Sequence, residues 1–309
     1  MEEPNIVFLD NLEMIQKIKN WDIWKEPGPL PPAPLPFRIQ QSPGKGLGMF
    51  AARPIKAGEL IMLELPVIVT RTSLGVSQEQ ELDPDIFHGA ALSGLPSALR
   101  ASIMSLSNCY GPKKTQITGT LLTNFQVLEI SDAPDPDSYV GLFLALSRVN
   151  HDCAPNSNFF FGAKSFTGQL HAVRNIAKDE EITMLYTHLA APRSERHKDL
   201  REKYEFDCTC STCSLPAALL KQSDTRRKAL GDLEKQIQTA SFPRGMSMTL
   251  LEDLLGWAKE EGMFALNAQI LLHGSFFAHD HGDYATARKW AQAGQIAVRL
   301  MEGQESKFA

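Results

Sequence analysis

The sequence predicts an α+β protein in which a β-rich core precedes a helical C-terminal lobe. Short runs of β-branched and aromatic residues, separated by turns that contain glycine or proline, occur in residues 37–69 and again in 158–185. After Pro216 the apolar residues recur at helical spacing instead. Between these regions lies the run Cys208–Cys213, which carries three cysteines in a CxCxxC pattern. That cluster predicts a metal-bearing segment.

The size and composition favour about two globular domains. The chain has 309 residues, of which 43% are hydrophobic, so it can bury a sizeable core. Its formal net charge of −5 gives no overall attraction to nucleic acid or to an anionic membrane, and we expect neither as a direct partner. The first residues show no basic region followed by an apolar one, so we expect no secretory signal. The apolar run from Leu60 to Val69 is interrupted by Glu64 and Pro66, so we expect no membrane span there.

The first predicted segment, residues 1–36, combines a helix with a linker. Its apolar residues have roughly helical spacing, which predicts an N-terminal helix. These residues are Ile6, Leu9, Leu12, Ile15 and Ile18. The proline-rich stretch 27–36 cannot continue a helix and is interpreted as a stiff linker. Pro29 and Pro32 leave open a second interpretation, a ligand for a proline-binding domain.

The second predicted segment, residues 37–192, is the β-rich core. The predicted strands are 37–40, 49–52, 59–69, 158–161, 170–173 and 182–185. A helical insert is expected over about 71–140, because leucine and isoleucine recur there at helical spacing and β-type runs are scarce. Within the insert, Cys109 has no partner in the sequence and is interpreted as a small buried hydrophobic residue.

Two further segments follow the core. Residues 193–214 are predicted to bear zinc, and their first part, Arg193 to Lys203, has the mixed charges of a solvated helix, to which we assign no chemistry. Residues 215–309 predict a helical lobe. There Gly282-Asp283 separates two helices, as in one tetratricopeptide-type hairpin, with Tyr284 expected on the packed face of the second. The nearby His279-Asp280-His281 run is interpreted as a turn.

The cysteines supply the strongest chemical prediction. Cys208, Cys210 and Cys213 provide three thiolates, whereas a closed tetrahedral zinc site needs four ligands. Cys153 is the natural fourth, so we expect one structural zinc ion. An odd number of cysteines arranged for metal also suits a reducing compartment, which predicts a cytoplasmic or nuclear protein.

Three other motifs could contribute to a binding site. The glycine-rich turn Gly44–Gly48 lets the backbone approach a ligand closely, although such a turn is often only a hairpin connection. The pair Asn150-His151 could bind a ligand or could satisfy buried backbone groups. Tyr186 stands at a predicted strand end, where a tyrosine often just closes the edge of the core.

Taken together, these motifs resemble those of SET-domain methyltransferases. Arg148–Asn156 matches the family pattern RxxNHxCxPN, and Glu181–Tyr186 is similar to ELTxxY. Tyr204–Cys213 matches the Y-x-F-x-C-x-C-x-x-C pattern of a post-SET segment. The resemblance covers about residues 37–214. It implies a SET fold in which the chain threads through a loop formed by another segment, with a zinc-bound post-SET segment behind it.

The resemblance also implies S-adenosylmethionine as the cofactor. Its binding residues would be Lys45, Gly46, Leu47, Gly48, Asn150, His151, Tyr186, Tyr204 and Phe206. Tyr186 and Tyr204 would be catalytic, with the Tyr186 hydroxyl orienting the nucleophile for an in-line displacement and its ring narrowing the acceptor channel. The aromatic pair Tyr204 and Phe206 would cover the adenine and line that channel.

Within the family, the chain looks like SET-and-MYND proteins that lack the MYND finger, as in fungal-type SET proteins. Only Cys109 lies between the glycine-rich turn and Arg148, which leaves no room for a cysteine-rich finger there. Thr187-His188 stands where the family usually has Ile-Asp, a departure that concerns the acceptor channel.

Three functions are compatible with the sequence. The first is a protein-lysine N-methyltransferase, the commonest activity of the family. The second is a small-molecule O-methyltransferase acting on a carboxylic acid, whose nucleophile needs no deprotonation at neutral pH. The third is a SET fold that binds without turnover, against which the intact motifs argue. None of these motifs indicates how many methyl groups are transferred.

Overall fold

A computed structural model describes residues 6–9, 16, 31–72, 83–130, 139–239 and 246–303. The chain forms two compact units between which it passes several times. The first unit comprises Met1–Met49, Ile61–Val149 and Phe160–Leu170, and the second comprises Phe50–Leu60, Asn150–Phe159 and His171–Ala309. The division into four consecutive segments therefore stays a prediction.

The described residues contain eleven strands and eight α-helices, which confirms the mixed α+β class. The strands are β1 Val7–Leu9, β2 Phe37–Ser42, β3 Gly46–Ala51, β4 Leu60–Glu64, β5 Ile68–Arg71, β6 Phe125–Leu128, β7 Tyr139–Leu142, β8 Asn150–His151, β9 Ser157–Gly162, β10 Thr167–Ala172 and β11 Glu181–Met184. The helices are α1 Pro84–Ser93, α2 Ser97–Met104, α3 Gln116–Asn124, α4 Arg193–Tyr204, α5 Ala217–Gln238, α6 Met248–Glu260, α7 Phe264–Asp280 and α8 Tyr284–Glu302. Among the residues described, no helix has both the length and the apolar character needed to cross a membrane.

The first unit contains a four-stranded sheet with the order β1-β5-β7-β6. Strand β1 runs parallel to β5, with Val7 opposite Ile68, whereas β7 is antiparallel to both β5 and β6. The N-terminal helix expected from the apolar spacing is therefore wrong over Val7–Leu9. This short Val-Phe-Leu run gains more from pairing with a distant strand than from local helix formation, since tertiary contacts override weak propensity. The rest of that expectation, residues 10–15 and 17–30, lies outside the described residues.

Helices α1, α2 and α3 lie between β5 and β6, where the helical insert was expected. They share a buried core with the sheet, in which Leu92, Leu95, Ile103 and Leu106 pack with Ile68. Apolar residues at helical spacing thus cover one face of the strands.

Cys109 is not the buried hydrophobic residue that we expected. It is half-buried between α2 and α3, and its Sγ lies 3.2 Å from the Thr123 hydroxyl. The Thr123 hydroxyl also accepts the Cys109 backbone N–H, so the cysteine has a polar neighbour.

A buried carboxylate organises the chain before Asn150 within the first unit. At the end of β4, Glu64 accepts the backbone N–H groups of Leu144, Ala145 and Leu146 at 2.8–3.3 Å. These donors open the 3₁₀ helix Leu146–Arg148, whose first N–H groups would otherwise have no partner. Strand β4 belongs to a three-stranded sheet of order β4-β10-β9, of which residues 61–64, 160–162 and 167–170 lie in this unit.

In the second unit, the short strand β8 pairs in parallel with β11. Asn150 lies opposite Thr183, and His151 lies opposite Met184. The end of β3 joins the same region, because the Ala51 N–H donates to the Glu180 carbonyl at 2.9 Å. Helices α5–α8 pack around an apolar core that includes Leu230, Leu254, Leu266 and Trp290, which confirms the helical lobe.

The α7–α8 hairpin turns where the sequence predicted. Gly282 adopts a φ of 78°, a conformation that glycine adopts without strain, and Asp283 caps the start of α8. Ala287, Gly294 and Val298 are buried on one face of α8. Tyr284 is 66% exposed instead, and its ring lies edge-on to that of His279 in α7, with 5.4 Å between the centroids.

Candidate functional site

Four cysteines meet in the second unit. The Sγ atoms of Cys153, Cys208, Cys210 and Cys213 all lie within 4.8 Å of one another. The Cys153 Sγ is 3.9 Å from that of Cys208 and 3.5 Å from that of Cys213. In a tetrahedral zinc site with Zn–S bonds of about 2.3 Å, neighbouring sulfurs are about 3.8 Å apart. The cluster therefore fits one zinc ion, which the four predicted cysteines could hold.

The sulfurs are too close together to titrate independently. Hydrogen bonding to Cys208 raises the pKa of the Cys153 thiol, and burial raises it further. The corresponding bonds from Cys153 and Cys208 lower the pKa of the Cys213 thiol. Without a cation, some of the four sulfurs stay protonated and donate hydrogen bonds to neighbouring thiolates. A bound divalent cation would stabilise all four as thiolates, so that their protons are released.

Helix α4 holds the CxCxxC segment in place. The helix ends at Tyr204, and the next residue, Glu205, caps it in a left-handed conformation with a φ of 58°. Asp207, in the segment that follows, then pairs with Arg201 at 2.5 Å and with His197 at 3.6 Å. This helix, to which the sequence assigned no chemistry, thus has ion pairs that hold the metal-ligating segment.

The residue that sequence reasoning missed is Arg196. Its side chain is fully buried, and it donates to the sulfurs of Cys153 at 3.2 Å and Cys213 at 3.7 Å. Its third partner is the Ala191 carbonyl, at 2.6 Å. A buried guanidinium needs a compensating negative charge, and four thiolates around a divalent cation carry a net charge of −2. Arg196 therefore suits a metal–thiolate centre.

The Asn150-His151 pair is fixed by hydrogen bonds on both residues. The Asn150 amide donates to the Glu181 carboxylate at 2.8 Å. The His151 Nδ1 accepts the Tyr186 backbone N–H at 3.1 Å, so the proton of the neutral ring resides on Nε2. That Nε2 lies 3.3 Å from the Cys153 sulfur, to which it can donate. His151 thus links the cysteine cluster to Tyr186.

Aromatic rings gather beside the cysteines. The ring centroids of Tyr186 and Tyr204 are 4.9 Å apart, and His151 lies 5.5 Å from Tyr186 and 6.2 Å from Phe206. Burial raises the pKa of the Tyr186 phenol, and Tyr204 and Glu181 raise it further. A raised pKa favours the un-ionised phenol, which can donate and accept hydrogen bonds.

The glycine-rich turn lies in the first unit, between β2 and β3. Gly44 and Gly46 adopt φ values of 74° and 78°, and no described atom lies within 4 Å of where a Cβ would be at either position. Lys45 and Leu47 are exposed, and Gly48 is buried in β3. The backbone of this turn is thus accessible, but its part in cofactor binding stays a prediction.

The second unit brings together the other predicted site residues, which are Asn150, His151, Tyr186, Tyr204, Phe206 and the four cysteines.

The departure from the family pattern at Thr187-His188 corresponds to two side-chain contacts. The Thr187 hydroxyl donates to Asp199 of α4 at 3.0 Å, and His188 lies 3.3 Å from Glu234 of α5. One pattern could have revealed Arg196, since it shares a helix face with Leu200 and Tyr204 at intervals of four residues.

Comparison with known proteins identifies the family of this chain. The SET domain matches residues 46–187. The chain is 30% identical over 275 residues to the histone-lysine N-methyltransferase set5 of Schizosaccharomyces pombe, an alignment that covers 88% of this chain and 80% of that protein. It is also 39% identical over 74 residues to the histone-lysine N-methyltransferase SMYD3 of Homo sapiens, covering 24% of this chain and 17% of that protein. With the Arabidopsis thaliana histone-lysine N-methyltransferase ASHR1 it shares 40% over 75 residues, covering 24% of this chain and 15% of that protein.

The last two matches are short, so they say nothing about the helical lobe. The first spans most of both chains and is similar enough to establish descent. Together with the SET match over residues 46–187, it shows that the chain belongs to the SET-domain family of methyltransferases.

Proposed function

We propose that this protein transfers methyl groups from S-adenosylmethionine to lysine side chains of a protein substrate. The observation that carries the proposal is the cluster of His151, Tyr186, Tyr204 and Phe206 packed against the four-cysteine centre. It occurs in a chain that aligns over most of its length with a histone-lysine N-methyltransferase.

The cofactor supplies an electrophilic methyl group bound to a positively charged sulfur. What the protein adds is alignment and exclusion of water, because an in-line displacement depends on the angle of attack. The neutral Tyr186 hydroxyl is suited to orienting the lone pair of the nucleophile, and the Tyr204 ring, tilted by 40° against that of Tyr186, would narrow an acceptor channel beside it. We assign the catalytic role to these two tyrosines.

Cofactor binding is assigned to the residues that the sequence motifs indicated. Asn150 and the His151 backbone would hold the amino-acid end of the cofactor, and Tyr204 and Phe206 would cover the adenine. The Glu181 carboxylate that accepts the Asn150 amide fixes the side-chain orientation of Asn150. Its fixed position is the reason for expecting a measurable loss of affinity on substitution.

The same carboxylate favours a cationic acceptor. Glu181 accepts the Asn150 amide at 2.8 Å, so a carboxylate lies beside one of the proposed cofactor-binding residues. Negative charge attracts a lysine ammonium and repels a carboxylate. A small carboxylic acid is therefore the second choice. Lysine must lose a proton to solvent before the transfer, since its reference pKa is about 10.4, whereas a carboxylate is already deprotonated at neutral pH.

A methyl-transfer assay tests the proposal. Purified protein is incubated with labelled S-adenosylmethionine and either histones, total cell protein or small carboxylic acids. We expect label on protein and not on the acids. Tyr186→Phe should slow protein labelling by about two orders of magnitude, whereas Tyr284→Phe, at an exposed tyrosine on α8, should not.

Three outcomes would contradict this assignment. Label only on the acids would establish an O-methyltransferase. No label despite tight cofactor binding would indicate a binding module. A fully active Tyr186→Phe variant would remove the catalytic role of Tyr186. We place the reaction in the nucleus or cytoplasm, with protein rather than nucleic acid as the direct partner.

A further inference from the structure

One buried side chain of the helical lobe contacts both segments of the proposed site. Arg227 of α5 is fully buried in the second unit. Its Nη1 donates to the Leu189 carbonyl at 2.8 Å, and its Nη2 donates to the Cys153 carbonyl at 3.1 Å. A single planar group thus fixes the separation of two backbone carbonyls that are distant in sequence.

The two carbonyls belong to the segments that carry the proposed chemistry. Leu189 is three residues beyond Tyr186, and Cys153 is three residues beyond Asn150. A change in the distance between these segments would therefore move the Tyr186 hydroxyl relative to Asn150 and His151.

Glu261, in the turn after α6, holds the guanidinium in this orientation. Its carboxylate accepts from the Arg227 Nε at 2.9 Å and from the Ser223 hydroxyl at 2.6 Å, and its carbonyl accepts from Arg227 Nη2 at 3.1 Å. Glu261 is itself 4% exposed, so the ion pair is buried and its geometry is restricted. Arg226 reaches the other carboxylate oxygen from a half-buried position, and its second ion pair is with Glu260 at 3.3 Å.

Two glycines allow the lobe to approach these segments closely. A Cβ at Gly231, one turn beyond Arg227, would lie 3.0 Å from the Ala190 carbonyl oxygen. A Cβ at Gly262, beside Glu261, would lie 2.9 Å from the Ala154 Cβ. The backbone of the lobe therefore packs closely against both segments, in addition to the contacts made by the extended Arg227 side chain.

We propose that Arg227 is a positioning residue of the methyl-transfer site, which sets the spacing between the Asn150–Cys153 segment and the Tyr186–Leu189 segment. This inference rests on the proposed function for its effect on catalysis. The helical lobe would then be part of the catalytic apparatus and not an appendage.

The first test compares Arg227→Lys with the matched control Arg226→Lys, which alters the same ion pair but not the site segments. Both are assayed as zinc-loaded protein at about 10 °C, far below the melting transition of a typical domain. We expect Arg227→Lys to lower kcat about ten- to a hundredfold, since small misplacements of reacting groups have effects of this size. The KM for the protein substrate and the kcat of Arg226→Lys should stay within about twofold of wild type.

The second test does not depend on activity. Amide hydrogen exchange should become faster in residues 150–156 and 186–191 of Arg227→Lys, and stay unchanged there in Arg226→Lys. If Arg227→Lys does not melt cooperatively, Glu261→Gln replaces it in both measurements.

A wild-type kcat in Arg227→Lys, an equal loss in Arg226→Lys, or faster exchange confined to α5 and α6 would each overturn the inference. If the wild type transfers no methyl group, the proposed function fails, and hydrogen exchange alone decides the role of Arg227.

Discussion

At the scale of single residues, the site depends on side chains whose polar atoms are already bonded within the protein. Asn150 donates to Glu181, His151 bridges Tyr186 and Cys153, and Arg196 contacts two sulfurs. Such pre-positioned groups lose little freedom when a ligand or ion binds, which favours affinity. Each bond also predicts what a substitution should do.

Asn150→Ala should weaken S-adenosylmethionine binding. The variant loses a polar partner for the charged amino-acid end of the cofactor, which should cost about 1.5–3 kcal/mol, or about ten- to a hundredfold in Kd. Titration calorimetry measures this difference. Asn158→Ala, at an asparagine that bonds to Phe159 and Met301, is the control. Equal affinity in wild type and Asn150→Ala would show that another residue holds the cofactor.

Arg196→Met should release zinc faster than the wild type. Removing the buried positive charge leaves the −2 charge of a metal–thiolate centre uncompensated, and groups that contact metal ligands typically contribute about ten- to a hundredfold to affinity. Transfer of zinc to a coloured chelator gives the rate. Lys198→Met, on the exposed face of the same helix, should leave that rate unchanged. Identical rates for the two variants would remove the charge-compensating role of Arg196.

At the scale of elements, short connections rather than long helices present the functional residues. The 3₁₀ helix Leu146–Arg148 leads directly into β8, and the buried Glu64 satisfies the N–H groups at its start. Arg148, at its end, donates to the Ser105 hydroxyl at 2.9 Å. The Arg148 of the sequence motif is therefore a structural residue that ties this turn to the helical insert.

Stability should depend on pH through Glu64. Burial raises the pKa of its carboxyl, outweighing the opposing effect of the backbone N–H donors. A folded-state pKa above the unfolded value gives a contribution that is complete below the unfolded pKa, about 4.3, and is lost as pH rises through the folded pKa. The free energy of unfolding of the wild type should therefore fall relative to that of Glu64→Gln as pH rises from about 4. Urea unfolding of both proteins over this pH range measures the difference, and a flat or rising difference would contradict the expectation.

The elements also show where sequence reasoning succeeds and where it fails. Strands β9, β10 and β11 could be predicted because each is a short run that is bounded by turns, and residues 159–161 and 182–185 are rich in aromatic or aliphatic side chains. Strand β1 could not, since its partner β5 is about sixty residues away and three apolar residues fit a helix equally well. The mixed charges of Arg193–Lys203 predict a solvated helix, and this pattern does not distinguish the buried Arg196 from the exposed charged residues around it.

At the scale of the whole molecule, the sequence identified the residues of the site better than it identified their supports. Cys153, His151 and Tyr186 belong to continuous motifs, and the second unit brings them together. Arg227 and Glu261 belong to no motif, because their role arises only when the helical lobe has folded against the core residues of its own unit. Non-local contacts of this kind leave no local pattern.

Zinc removal should affect the whole second unit. We expect one zinc ion per chain, and its removal should lower the melting temperature and abolish cofactor binding, because His151, Tyr186 and Tyr204 pack against the cysteines. Apparent binding free energies of structural zinc are about 10 kcal/mol or more. Metal analysis and thermal melting with and without chelator test this. Cys210→Ser should lose zinc, whereas Cys109→Ser, the variant of the fifth cysteine, should retain it. Metal-free wild-type protein with full stability would contradict the zinc assignment.

Strand β1 has a consequence for solubility. It covers one edge of the sheet in the first unit, and its neighbour β5 carries Ile68 and Val69, which are almost completely buried. A chain shortened to begin at Phe37 would leave the backbone N–H and C=O groups of β5 unpaired along an apolar edge. Such edges recruit strands from other molecules. Three residues near the N-terminus therefore protect the protein from self-association, and trimming them to obtain a minimal domain would promote aggregation.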